Sequence, residues 1–448
     1  MNDNGARLSP GGLRPPVPAW WEEPARRVAE KVRARAPSCP GAFVFATDLH
    51  VPSNCGSSGA LFARLAFETG VRTVLCGGDI PEAFGSKAEL EASIAAYREK
   101  WVARAESGGC DFYPVHGNHD FTIRASAEEN DGWTFESGYT RETLLDTAAV
   151  RRDAVVFDGA PGVCAYYFDR PEARLRTIVA DTSDSVTRDR PFWGVVDGIG
   201  REQLLWLARE ALGSAPDSWG VAIVQHCPMF DAAVASDREV FAPWKRVVDA
   251  YRRRRAVDVC GETVDFSSAG ARVLFVVAGH HHAERAFASD GLWHLEQPCD
   301  AAYFDYVNRS GPGGPKMPEK VAGTATEQTL DVVQADQKRG LLFLTRLGGG
   351  FDRTFHLEPL RAKAGQTVAA PRPETLGGRV SWDCYDSDFV ARHDNPDRKY
   401  DYFVEGFRNV AEVSMEGAVT AKKAGESVVF ATAPDGRREF YAVLVEDR

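Results

Sequence analysis

The sequence predicts an α/β fold built on a parallel sheet, on two observations. Three apolar runs, Phe43-Val44-Phe45-Ala46, Thr73-Val74-Leu75-Cys76 and Phe112-Tyr113, are separated by stretches of helical composition at Ala60 to Thr69 and Ser86 to Ala105. Each run then stops abruptly in polar or turn-forming residues. Unbroken apolar runs suit strands covered on both faces, as in parallel sheets. The β-α-β-α-β order makes parallel pairing with right-handed crossovers the economical topology.

With 448 residues, the chain has room for one large domain with an appendage, or for two, and for a substantial core. Its nine cysteines are odd in number and contain no Cys-x-x-Cys pair, so neither a disulfide framework nor a thiolate zinc site is indicated. A net charge of −11 argues against a broad basic face for nucleic acid. The Arg252 to Arg255 run, following Trp244 and Val247-Val248, reads as a solvated helix face. Between Met1 and Pro40 no apolar stretch reaches the length of a signal peptide or membrane span. The expectation is a soluble cytoplasmic protein without a membrane partner.

Along the chain, residues 1–40 read as an N-terminal extension ending in a docking helix from Trp20 to Ala36, with Trp21, Ala25, Val28 and Val32 at helical spacing. The first apolar run then delivers Thr47-Asp48-Leu49-His50, and strand alternation places Asp48 and His50 on one side. The second ends at Gly77-Gly78-Asp79. The third ends at Val115-His116-Gly117-Asn118-His119-Asp120, where Gly117 is expected to permit a tight turn. Beyond Asp120, after an amphipathic stretch at Arg141 to Val150, the runs Val155 to Phe157, Ala165 to Phe168 and Arg176 to Ala180 look antiparallel and partly exposed. A helix beginning at Glu202-Gln203-Leu204 and ending near Gly213 precedes a fourth apolar run, Val221 to Val224, which stops at Gln225-His226. The fifth, Val273 to Val277, stops at Gly279-His280-His281-His282. Gly340 to Leu344 and Thr354 to Leu357 form a closing pair of strands, so a main domain over 41–361 and a small β-rich C-terminal module over 362–448 are expected.

Five runs thus end in Asp48 and His50, Asp79, Asn118 and His119, His226, and His280 and His282. In an open α/β sheet the carboxyl ends of the strands share one edge, so these side chains converge. A lone histidine or aspartate at such a place is ordinarily a hydrogen-bonding or capping residue, but seven together, leaving His119 aside, need partners. Carboxylate and imidazole without thiolate suit divalent or trivalent Mn, Fe, Ni or Zn. Seven donors exceed one tetrahedral ion, and Asp79, alone at its strand tip, is the natural bridge between two. His116, His281 and His294 are assigned structural roles.

Asp48-x-His50, Gly78-Asp79, Gly117-Asn118-His119-Asp120, the lone His226 and Gly279-His280-x-His282, in that order, resemble the five motifs of the calcineurin-like metallophosphoesterases. The resemblance covers roughly Gly41 to Leu360 and includes the helix at Gln203 to Leu207. It implies an αββα sandwich of two mixed β-sheets flanked by helices. It also implies one metal ion on Asp48, His50 and His282, a second on Asn118, His226 and His280, and Asp79 bridging both. Glu82 stands where the purple acid phosphatases carry a metal-bound tyrosine, so no charge-transfer iron site is expected. Asp120 after the histidine resembles the branch containing cyclic-nucleotide phosphodiesterases.

The expected chemistry is hydrolysis of a phosphodiester or phosphomonoester of a nucleotide or small metabolite, by hydroxide held between two metal ions. His119 is the candidate acid for the leaving oxygen and Asp120 its orienting partner. A nuclease with the same chemistry, or a non-catalytic protein-interaction scaffold on the same fold, are the alternatives. The partner expected is a small phosphorylated substrate, and Phe121, Arg124, Trp133 and Tyr303, on loops carried by the sheet, are candidate contacts.

Overall fold

The computed structural model describes residues 14–51, 56–80, 87–120, 123–125, 133–135, 141–160, 162–184, 198–229, 235–300, 309–310, 319–387, 390–393, 402–405 and 408–447. Three parallel strands open the fold: β1 (Phe43–Ala46), β2 (Thr73–Cys76) and β3 (Asp111–Pro114). The chain then builds a second sheet from β4 (Ala154–Val156), β5 (Tyr166–Arg170), β6 (Leu175–Ala180), β7 (Gly220–Gln225), β8 (Arg272–Ala278), β9 (Ala283–Ser289), β10 (Leu292–Glu296) and β11 (Arg309–Ser310). Its order is β11-β9-β10-β8-β7-β6-β5-β4. Six further strands return to the first sheet: β12 (Thr329–Asp336), β13 (Leu341–Gly348), β14 (Arg353–Lys363), β15 (Ser381–Asp386), β16 (Gly425–Thr432) and β17 (Arg438–Glu446). That sheet has nine strands in the order β15-β16-β17-β14-β13-β12-β1-β2-β3.

Alternation along β1 explains why the run is apolar throughout. Phe43 and Phe45 enter a core shared with Val224, Phe275 and Trp293 of the second sheet. Val44 and Ala46 pack outward beneath α1 (Ala19–Arg35) and α2 (Ser58–Thr69), against Trp21, Val28, Val32, Leu61 and Leu65. In the second sheet Ala222 and Val224 of β7 face inward. Val221 and Ile223 meet Leu204, Leu207, Trp244 and Val248, carried by the helical stretches Arg201–Leu212 and Ala235–Arg252. The architecture is therefore helix, sheet, sheet, helix, as the motifs imply, and β4, β5 and β6 pair antiparallel.

β12 went unread in the sequence, yet it closes the first sheet by pairing antiparallel with β1, Phe45 opposite Asp331. Buried polar residues hide its pattern. Asp331 accepts from the Arg346 guanidinium (Nε to Oδ1, 2.9 Å) and from Arg353. Gln334 donates to the Val32 carbonyl of α1 at 3.1 Å.

The strands of residues 362–448 extend this same sheet. β17 runs parallel to β14, which itself crosses position 361, and β16 and β15 continue outward. An eleven-residue strand with an open edge exposes a row of unpaired amides, and β17 supplies their partners. On the outer face Val410, Val419, Tyr441 and Val443 form a small core.

Glu439 of β17 ties this extension down. It accepts from His356 Nε2 (2.7 Å), the Glu374 and Thr375 amides (3.0 Å each), the Thr375 hydroxyl (2.8 Å) and the Tyr441 hydroxyl (3.0 Å). Burial alone would raise this carboxyl, but the donors, His356 foremost, outweigh it and hold the pKa at about 2. A depressed carboxylate contributes stability above its unfolded value and loses it as pH falls through the folded one. Glu439→Gln should therefore lower the melting temperature at pH 7, by a stability of roughly 3 kcal/mol, and the gap from wild type should close between pH 4.5 and 2. Thermal melts across that range check it, and a gap independent of pH would remove the assignment.

Among the described residues eight cysteines are present, all free. No helix among them is long and apolar enough to cross a membrane.

Candidate metal centre

The carboxyl ends of β1, β2, β3, β7 and β8 meet at one rim and bring Asp48, His50, Asp79, Asn118, His226, His280 and His282 together. All but His280 are buried. The route differs from simple strand alternation. β1 stops at Ala46, and Asp48 and His50 lie beyond it with φ of 55° and 45°. Asp79 (50°), His280 (77°) and His282 (52°) are left-handed as well. Each such non-glycine residue costs about 1 kcal/mol or more, and strain of this kind gathers where side chains must be aimed. Left-handed turns, and not the pleat, direct these donors inward.

Gly117 also acts differently from expectation. It has no left-handed φ; a Cβ there would stand 2.2 Å from the Asp79 amide nitrogen and 2.4 Å from Asp79 Oδ1. Close approach of two loops, and not turn conformation, requires glycine. Gly78 meets both demands, with φ of 95° and a Cβ position 2.6 Å from His226 Nδ1.

The donors form two clusters. In the first, one ligand atom from each of Asp48, His50, Asp79 and His282 lies within 4.8 Å of the others. His282 Nε2 is 3.1 Å from Asp48 Oδ1 and 3.0 Å from His50 Nε2. In the second, His226 Nε2 stands 2.9 Å from Asn118 Oδ1, which is 2.8 Å from His280 Nδ1. Asp79 faces both: Oδ1 is 3.2 Å from His226 Nε2 and Oδ2 is 4.0 Å from His50 Nε2.

Whether metal ions fit can be judged from hydrogen-bond chemistry. His226 Nδ1 lies 2.8 Å from the Gly77 carbonyl, which only accepts, so Nδ1 carries a hydrogen. In the neutral ring Nε2 then presents a lone pair to two oxygens that are themselves acceptors. Acceptors about 3 Å apart, facing one another, form the edge of a coordination polyhedron with bonds of about 2.0–2.2 Å. Burial pushes the His226 pKa down, yet the Asp79 carboxylate outweighs it and lifts it to about 10, so without a cation a proton bound at Nε2 meets these oxygens, in the place a metal ion would take. The centre calls for positive charge. At the first cluster burial outweighs the pull of Asp48 and holds His282 at about 4, which keeps its ring in the neutral form that ligates metals. Asp79 is drawn well below the usual carboxylate range despite its burial, by His226 first.

Supporting contacts fix these groups. Thr47 Oγ1 donates to Asp48 Oδ2 at 2.7 Å, and the His280 amide donates to the same carboxylate at 3.1 Å. The His119 amide donates to Asp79 Oδ1 at 2.8 Å, and the His119 ring stands edge-on to His50, centroids 5.3 Å apart, half-buried at the rim. Asp120 is spent on backbone: its oxygens accept from the Ile80 and Gly117 amides, 2.7 Å each, strapping the Asp79 loop to the Asn118 loop. Burial raises its pKa to about 7.

His116 joins Asp181 (Nδ1 to Oδ2, 3.0 Å), His281 meets Glu296 at 3.3 Å, and His294 stacks on Phe287. Asp181 was not singled out in the sequence, although it ends the Arg176 to Ala180 run in the manner of the other strand tips. It also accepts from the Cys164 and Ser183 amides, while neighbouring Thr182 accepts from the Cys227 amide beside His226. Phe121, Tyr303 and Glu82 lie outside the described residues. Arg124 and Trp133 fall in a short hairpin, Ile123–Ala125 with Trp133–Phe135, described in its backbone alone.

The sequence profile of the calcineurin-like phosphoesterases matches residues 41–284, more than half of the chain and all seven donors. The chain belongs to the calcineurin-like phosphoesterase family. No curated protein matches this phosphoesterase. Solved structures similar to it include GAP50, the anchor in the inner membrane complex of Plasmodium, at 11% identity, covering 66% of this chain and 85% of that one with a TM-score of 0.34. A Vps29 double mutant from Entamoeba histolytica matches at 11% identity over 68% and 91%, TM-score 0.24. Phosphopantetheinyl hydrolase from Mycobacterium tuberculosis matches at 13% over 58% and 89%, TM-score 0.22.

Proposed function

We propose that this phosphoesterase is a metal-dependent hydrolase of phosphoric esters that holds two transition-metal ions, one on Asp48, His50 and His282, the other on Asn118, His226 and His280, with Asp79 between them. The observation that carries this reading is the set of acceptors turned toward one another, His226 Nε2 against Asn118 Oδ1 and Asp79 Oδ1 at 2.9 and 3.2 Å. When bound, such an ion pair supplies Lewis acidity for the phosphoryl oxygens and a hydroxide nucleophile at neutral pH. The chain's own residues do the rest. The Gly77 carbonyl fixes the His226 tautomer, the Asp79 oxygens serve one cluster each, and Asp120 keeps their loops in register. His119, at the half-buried rim with its amide bound to Asp79, would give a proton to the leaving oxygen.

The substrate proposed is a small phosphorylated molecule in the cytoplasm, in keeping with the chain's acidity. Metal analysis of the purified protein, with p-nitrophenyl phosphate and bis-p-nitrophenyl phosphate as paired substrates in added manganese, tests it. Bound metal with turnover of either ester is expected; a protein that takes up no metal and turns over neither ends the proposal.

A further inference from the structure

A cavity of about 680 Å³ lies at the end of the nine-stranded sheet, where the turn between β16 and β17 meets the start of β15. Phe351, Trp382 and Phe430 give it aromatic walls, and Asp383, Asp435 and Arg438 also line it. Strand directions place it at the same end of the sandwich as the metal centre. Four strand spacings of about 4.8 Å, some 19 Å in all, separate β17 from β1.

Charge is distributed unevenly around this cavity. Asp383 is paired with Arg408 and Asp435 with Arg437, each at 2.7 Å, so neither carboxylate is free. Arg438 is 6% exposed and its Nε finds no acceptor; its contact is the Phe430 ring, 5.5 Å from the guanidinium carbon. Glu284, whose field reaches Arg438, is already held by Arg346 at 2.9 Å and Arg353 at 3.3 Å. Those two arginines also share Asp331. Among the described residues, three buried arginines therefore meet two carboxylates, and Arg438 is the one left over. Burial pushes its pKa down, whereas Arg346 is held above the ordinary value, Asp331 outweighing burial there.

A buried guanidinium without a paired anion destabilises the fold, and an anion bound in the adjoining cavity would relieve that cost. We propose that this cavity binds an organic oxyanion, a carboxylate or phosphate monoester carried on a flat aromatic body, with Arg438 as its anchor. The forked guanidinium matches either oxyanion, the aromatic walls match a planar body, and the volume lies within the roughly 300–1,000 Å³ of small-molecule sites. The site is independent of the chemistry at the metal rim.

The test uses the full chain in EDTA, with calorimetric titration of AMP and benzoate as the two oxyanion classes, adenosine as the uncharged control, and melts of the ligand-free protein. At least one anion should bind saturably, with adenosine weaker by ~10-fold or more and Arg438→Met weaker by a similar factor. Arg438→Lys should recover part of that loss. Ligand-free Arg438→Met should melt above wild type, because an uncompensated charge has gone. Trp382→Ala, which removes a wall and leaves the charge, should also weaken binding and serves if Arg438→Met fails to fold. The proposal is overturned if neither anion binds, if the Arg438 and Trp382 variants bind as wild type does, or if ligand-free Arg438→Met folds but melts below it.

Discussion

Asp79→Asn should abolish turnover and metal retention together, with a fall in activity of ~10³-fold or more. Asp79 is 1% exposed and presents one oxygen to each donor cluster. An asparagine keeps the shape and still offers an oxygen to the His119 amide, so the loop strapped by Asp120 stays in place. What disappears is a negative charge that both clusters share, and a shared anion between two cations is worth several kcal/mol of charge stabilisation, each 1.4 kcal/mol being about tenfold in rate. Elemental analysis beside an aryl phosphate assay reads both quantities. A variant with a full metal complement and near-normal turnover would show that Asp79 is not the bridge.

His119→Ala should separate the two properties. Metals stay bound, because the residue touches Asp79 through its backbone amide, which alanine retains. Turnover should fall by ~10²–10⁴, the range for a lost general acid. The loss should also depend on the leaving group: an aryl ester departs as a stable phenolate and needs little protonation, whereas an alkyl ester needs much. Comparing p-nitrophenyl with alkyl phosphates measures this. Equal losses on both, or metal missing from the variant, would take the acid role away from His119.

How far the sequence could be read depended on where each signal was stored. The apolar runs at Phe43 to Ala46 and Val221 to Val224 announced their burial on both faces because each successive residue faces a different apolar layer. β12 announced nothing, because Asp331 and Gln334 break its apolar pattern and their partners lie on other elements, Arg346 and Arg353 on the next two strands and Val32 on α1. Asp120 looked like a partner for the histidine beside it; proximity in sequence pointed to the His119 ring, and folding gave its oxygens to Ile80 and Gly117. The open edge of β14 was likewise invisible until β17 lay along it.

The sequence by itself determined which donors this protein owns, their order, and that each stands at the tip of a buried strand. Composition and local pattern suffice for that within each sheet, since the ends of parallel strands share one edge; that the rims of two different sheets meet was decided by the tertiary structure. Only the tertiary structure decided how the donors are aimed, through five left-handed residues and a glycine with no room for a Cβ, and which oxygens of Asp79 face which ring. The last strands joining the first sheet, and Arg438 left without an anion among the described residues beside a cavity, were settled there too. Backbone torsions and the choice of polar partner are fixed by neighbours on other loops and strands, which lie from a few to some three hundred positions away in sequence.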